Sequence, residues 1–195
     1  LLVIYQTVRW QVPGATVAMV PVAGICMLLM GWSSALPSDP SPLSAALENV
    51  WLFIHASFAT AGAATFLIGA SYAIVYLLGE ERLAKSTRNL PGLPAYNSIP
   101  GSVVTYLLFG LVLWGVMIVS GSIWAHIAWG RYWAWDPVEL WSLLSWLLYG
   151  LLYHARMSLR LPPRAFCLLN IVAVATVAFS LWGIQYVYET VHTYG

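Results

Sequence analysis

VVTYLLFGLVLWGVMIVSGSI, residues 103–123, is the stretch that decides the fold. It carries no charge from Val103 to Ile123. As a helix it rises about 31 Å, enough for a hydrocarbon core about 30 Å thick. In lipid every backbone N–H and C=O must be bonded within the protein, and an unbroken apolar run, lacking the alternation of a barrel strand, selects a helix. Four more apolar runs of comparable length lie near 15–32, 51–78, 138–157 and 166–188. The predicted fold class is all-α: a polytopic transmembrane bundle of about five spanning helices, with a Trp-rich loop on one side. Leu1 to Tyr5 reads as the stub of a truncated N-terminal helix, because the chain opens there without a methionine or the charged flank of a signal peptide. Further sequence upstream is expected.

These runs occupy most of the 195 residues, so 1–195 is read as a single membrane domain. The chain is 61% hydrophobic and 8% charged, where a soluble domain carries about a quarter charged residues. A net charge of +1 with no Lys/Arg-rich tail argues against a nucleic-acid partner. Cys26 and Cys167 fall inside apolar runs without CxxC or CxxCH spacing, and read as small core residues.

The connections sort by charge. Arg9 precedes the first run, Arg82, Lys85 and Arg88 lie between the second and third, and Arg156, Arg160 and Arg164 lie between the fourth and fifth. With alternating passes these seven of the eight Lys/Arg residues share one side, which the positive-inside rule assigns to the cytoplasm. Arg131 remains outside, with Asp39, Glu48, Asp136, Glu139 and Glu189, five of the seven acids. The loop 33–50, rich in Pro and Ser, reads as an outer linker, and 79–101, with Pro91, Gly92, Pro94 and Pro100, as an irregular inner one.

The outer stretch 124–146, WAHIAWGRYWAWDPVELWSLLSW, holds Trp124, Trp129, Trp133, Trp135, Trp141 and Trp146, six of eleven tryptophans. Trp gathers at membrane interfaces in any case, because its ring is apolar and its N–H is wet. Here, however, Trp129, Trp133 and Trp135 crowd around Gly130 in one short loop instead of spreading over helix ends. Flat rings at that density suit a flat apolar ligand. A porphyrin needs aromatic walls, an axial imidazole and a partner for its propionates; Arg131 and amides at a helix start offer the last of these. Asp136-Pro137-Val138-Glu139 has a local explanation of its own: Asp136 as helix N-cap, Pro at the first helical position, and Glu139 reaching back to the cap.

Of four histidines, three fall outside: His55 near the end of the second run, His126 beside the Trp loop and His192 beyond the fifth run. A lone boundary histidine is more often a hydrogen-bonded interface residue than a ligand. His55 and His192, though, sit on different helices at one membrane level, where they can approach a haem from opposite faces as two axial ligands. His154 lies near the inner end of the fourth run, where it either serves a function or snorkels to the interface. Met19, Met27, Met30, Met117 and Met157 read as packing residues.

Trp129-Gly130-Arg131-Tyr132-Trp133-Ala134-Trp135-Asp136-Pro137, with Glu139, Trp141 and Tyr153-His154-Ala155-Arg156, resembles the WWD signature of haem-handling proteins, in the form found in the CcsA/ResC branch of System II cytochrome c biogenesis. Trp51-Leu52-Phe53-Ile54-His55 and Val191-His192-Thr193-Tyr194-Gly195 resemble that branch's first and last outer histidine motifs. The resemblance is best over 43–195. It implies that His55 and His192 are axial ligands of non-covalent, transiently held haem b. The Trp loop, including Gly130, Arg131 and Asp136, would lie beneath its edge, and His154 would assist haem from the cytoplasmic side. It also implies a ResB/CcsB-type companion, an apocytochrome c with a CxxCH motif and a thiol-reducing thioredoxin-like protein as partners. The expected setting is the plasma membrane of a bacterium, with a thylakoid membrane as the other that fits. His126 departs from the Asn of the family pattern, and Val138-Glu139-Leu140 from its Lys-Glu-Thr.

The function expected from these features is holding haem at the outer face for thioether attachment to an apocytochrome, as a component of a holocytochrome c synthetase without a stand-alone catalytic residue. The alternatives are a membrane cytochrome subunit that retains haem for electron transfer, and a haem-free scaffold with an aromatic belt.

Overall fold

A computed structural model describes residues 49–83 and 96–188. The first expected span, 15–32, the Leu1–Tyr5 stub and His192 lie outside the described residues. Among those described, every regular element is helical. Helix α1 runs Val50–Leu83, α2 Ile99–Trp129 after a 3₁₀ turn at Tyr96–Ser98, α3 Pro137–Met157 and α4 Pro163–Ala178. The chain continues from α4 through a π turn, Phe179–Gly183, and a 3₁₀ turn, Ile184–Tyr186.

Three segments, Val50–Gly79, Ile99–Trp129 and Pro163–Tyr186, are long and apolar enough to cross a membrane. The protein is therefore a polytopic helical membrane bundle. The fourth described helix, α3, has the length, at 21 residues, but Glu139, Ser142, Ser145, His154 and Arg156 make it the most polar of the set. Helices α1 and α2 extend past the expected bounds 51–78 and 103–123, and in α2 the residues after Ile123, Trp124 to Trp129, include no Pro or Gly to stop the helix before Gly130. Gly130 ends α2 in the left-handed conformation, φ 74°, with its N–H on the His126 carbonyl.

Apolar side chains gain nothing by leaving lipid for one another, so such helices associate through close packing and interhelical hydrogen bonds. Both are present. Gly62 and Gly69 of α1 face α2: a Cβ added at Gly62 would come within 3.2 Å of the Trp114 backbone nitrogen, and one at Gly69 within 3.4 Å of the Tyr106 Cβ. Phe66 fills the centre, stacked on Tyr149 of α3 at 3.7 Å between ring centroids. Helices α2 and α3 are bolted reciprocally. Trp114 donates its indole N–H to the Ser142 carbonyl at 3.0 Å, and Trp146 donates its own to the Leu111 carbonyl at 2.9 Å. Ser142 and Ser180 join α3 to the π turn at 2.9 Å. Trp146, expected with the Trp-rich stretch, is thus a helix-to-helix fastening, and Trp114 is wholly buried. Cys167 is buried among apolar neighbours, as expected of a core residue.

At the end of the bundle away from the Trp loop, Arg156 folds back to donate to the Leu161 carbonyl at 2.6 Å, its guanidinium 5.8 Å from the Phe166 ring centroid. One of the expected inner cations therefore closes the α3–α4 turn.

Candidate functional site

The four helices leave a cleft at the end of the bundle that bears the Trp loop. Its walls are His55 and Ala59 of α1, Met117 to Ala125 of α2, Tyr132 and Trp133 of the loop, the start of α3 at Val138, Glu139 and Ser142, and Ser180 with Leu181 of the π turn. The lining is mostly apolar, with a few polar groups at defined points.

His55 is the best placed of these. Its Nδ1 lies 2.9 Å from the Met117 carbonyl oxygen. A carbonyl only accepts, so Nδ1 carries the proton. Metal-binding histidines commonly donate their other ring nitrogen to a carbonyl in this way, which fixes both tautomer and ring orientation. The ring lies against the backbone of α2 at Gly121, where a Cβ would come within 2.6 Å of Nδ1. Trp124 covers the imidazole in a parallel arrangement, 6.4 Å between centroids and 15° between planes, and Trp129 meets Trp124 edge-on at 4.8 Å.

Local sequence explains how the loop reaches the cleft. Gly130 ends α2 and Asp136 begins α3, its side chain accepting from the Val138 N–H at 3.0 Å. Glu139 completes the expected capping box by accepting from the Asp136 N–H at 3.2 Å. The same Glu139 oxygen also accepts from the Ala134 N–H at 2.8 Å, a bond the capping reading did not include. Between those two amides Trp135 has φ 60°, which for a bulky residue is a real departure costing of order 1–3 kcal/mol. Trp133 and Trp135 stand at 88°, 5.8 Å apart.

Removing the cap alone is expected to be mild: Asp136→Ala should lower stability by about 1 kcal/mol. A thermal melt in detergent checks this, and an unchanged midpoint would count against the cap.

The family model described as cytochrome c assembly protein matches residues 2–192. The chain belongs to that family. It is 31% identical to the cytochrome c biogenesis protein CcsA of Chlamydomonas reinhardtii, over 87% of this chain and 49% of that one. With the protein of the same name from Parasynechococcus marenigrum (strain WH8102) the identity is 29%, over 95% of this chain and 69% of the other. The figures for Guillardia theta are 28%, 89% and 65%. The chain thus spans from about half to about two thirds of the length of these relatives.

In this cytochrome c assembly chain the expected site residues divide. His55 and Trp133 line the cleft. Trp129 stands behind Trp124, and Trp141 packs edge-on against Phe179 of the π turn at 4.6 Å. Arg131 and Trp135 are exposed on the loop, and Gly130 and Asp136 shape it as helix caps. His126 is outside the cleft lining, its ring stacked on Tyr132 at 4.1 Å. His154 is exposed near the other end of α3, about 26 Å along the helix from Pro137. Met117, Gly121, Ser142 and Ser180 were not singled out as site residues by the sequence. Gly121 is one of several small residues in its apolar run, and the sequence does not mark it as the one that His55 approaches. The carbonyl of Met117 has no signature in its side chain.

Proposed function

We propose that this assembly-family protein receives haem in the cleft and holds it there, at the outer face of the membrane, for attachment to an apocytochrome c. The observation that carries the reading is the His55 imidazole, held by its Nδ1 at the Met117 carbonyl on the wall of an apolar cleft that Trp124 and Trp133 also line. In chemical type those residues would suit haem iron: an imidazole held in place by a backbone carbonyl, with flat apolar side chains beside it. In this reading His192 would supply a second imidazole to the haem iron, and His154 would assist haem from the cytoplasmic side.

Haem brings two vinyl groups and the CxxCH segment two thiols, which add across them to give thioethers. The chain itself positions. His55 would hold the haem iron, Trp133 and Trp124 would exclude water beside it, and the open side of the cleft would admit the acceptor. The partners that follow are the apocytochrome, a thioredoxin-like reductant that keeps its cysteines reduced, and a ResB/CcsB-type companion completing the synthetase. The bound species is haem b.

The test is the reduced-minus-oxidised visible spectrum of the purified protein, wild type against His55→Ala and His192→Ala, with and without a coexpressed CxxCH acceptor. The expected result is loss of the b-type signal in each variant with parallel loss of acceptor maturation. Haem retained in both variants would remove the ligand assignment. Haem lost with maturation intact would point instead to an electron-transfer subunit.

A further inference from the structure

Trp135 holds a conformation that suits glycine, φ 60°, and keeps its indole 69% exposed. A residue serving only as an interface anchor has no need of that backbone. What compensates is the Glu139 side chain: one oxygen, Oε2, accepts from the N–H groups of Ala134 and Asp136, on either side of Trp135. Two amides separated by one residue converge on a single anion only when the chain between them curls, and a left-handed residue supplies that curl. A capping box requires only the bond to Asp136. The shorter bond, 2.8 Å, goes to Ala134, outside the helix. Glu139 also lines the cleft beside Trp133.

We propose that Glu139 is the positioning residue of the Trp loop: its carboxylate, cradled by the Ala134 and Asp136 amides, keeps Trp135 left-handed, which holds Trp133 against the His55 cleft and Trp135 outside it. Without that oxygen Trp135 relaxes to an extended backbone, and the peptide that carries Trp133 turns with it. Helix α3 retains its Asp136 cap, so loop and helix start respond separately. The consequence for haem rests on the function proposed above, whereas the geometry of the loop does not.

The test uses the whole detergent-solubilised protein. The first readout is the near-ultraviolet circular dichroism of the Trp133–Trp135 pair, taken as a difference against Trp135→Phe, without haem. The second is haem affinity by titration. Glu139→Met, of similar volume but without an acceptor, should abolish the pair signal and weaken haem about tenfold, the loss of one charge-assisted hydrogen bond. Glu139→Gln, whose amide oxygen still accepts, should keep both within about twofold. Asp136→Ala should lower thermal stability and keep the pair signal, which separates positioning from capping. A pair signal that survives Glu139→Met, or is lost equally in Glu139→Gln, overturns the proposal. If the pair signal follows Glu139 while wild type binds no haem, the positioning role stands and the haem reading falls.

Discussion

Gly121→Ala is expected to weaken haem binding as severely as His55→Ala, by about 10- to 100-fold, the range seen when the partner that orients a metal ligand is lost, while leaving the bundle folded. The added Cβ would stand 2.6 Å from His55 Nδ1 and 2.8 Å from its Cε1, closer than real contacts allow. The imidazole is rigid, and its Nδ1 is held by the Met117 carbonyl at 2.9 Å. The ring must swing away, breaking that bond and changing its orientation at the cleft wall. The helix itself does not suffer, since Ala is favoured over Gly in a helix interior by about 1 kcal/mol. Haem titration followed by a thermal melt separates the two effects. A Gly121→Ala protein with wild-type affinity and spectrum would show that the His55 orientation is not what binds haem.

The largest stability loss is expected at Gly110→Val. A Cβ at Gly110 would lie 2.5 Å from both Cδ1 and Cε1 of Phe66. That ring cannot retreat, because Tyr149 stacks on its face at 3.7 Å and Trp114 is tilted against it at 6.0 Å. Overfilling a packed core costs about 1–3 kcal/mol, and here the strain separates α1 from α2, the pair whose small residues permit their approach. The midpoint of thermal unfolding in micelles should fall accordingly. Combining it with Phe66→Leu, which vacates the ring volume, should recover part of the loss. A single Gly110→Val variant as stable as wild type would mean that the helices part at no cost.

The contrast between these two glycines shows how far residues alone could be read. Both sit in the same apolar run of α2 and look alike as small residues in a membrane helix. One receives a core phenylalanine and the other a candidate haem ligand. Likewise Trp146 and Trp133 belong to one Trp-rich stretch, yet Trp146 bonds the Leu111 carbonyl across two helices while Trp133 walls the cleft. Glu139 read correctly as a capping residue because a capping box is local, spanning the four residues from Asp136 to Glu139. Its second bond, to Ala134, depends on the path of the loop.

What the sequence by itself determined is the helical membrane fold, three spans near 51–78, 103–123 and 166–188, the start of α3 at Asp136 and the clustering of His55 with a Trp-rich loop. Each follows from rules that act over one helix or one turn: backbone satisfaction in lipid, capping and charge asymmetry. Only the tertiary structure decided which tryptophans face a common cleft, which nitrogen of His55 bears the proton, and where the absence of a Cβ matters. These depend on the rotation of each helix about its axis and on main-chain atoms of neighbouring helices. Near-uniformly apolar segments leave that rotation unmarked, because lipid and core are equally apolar and only packing tells the faces apart.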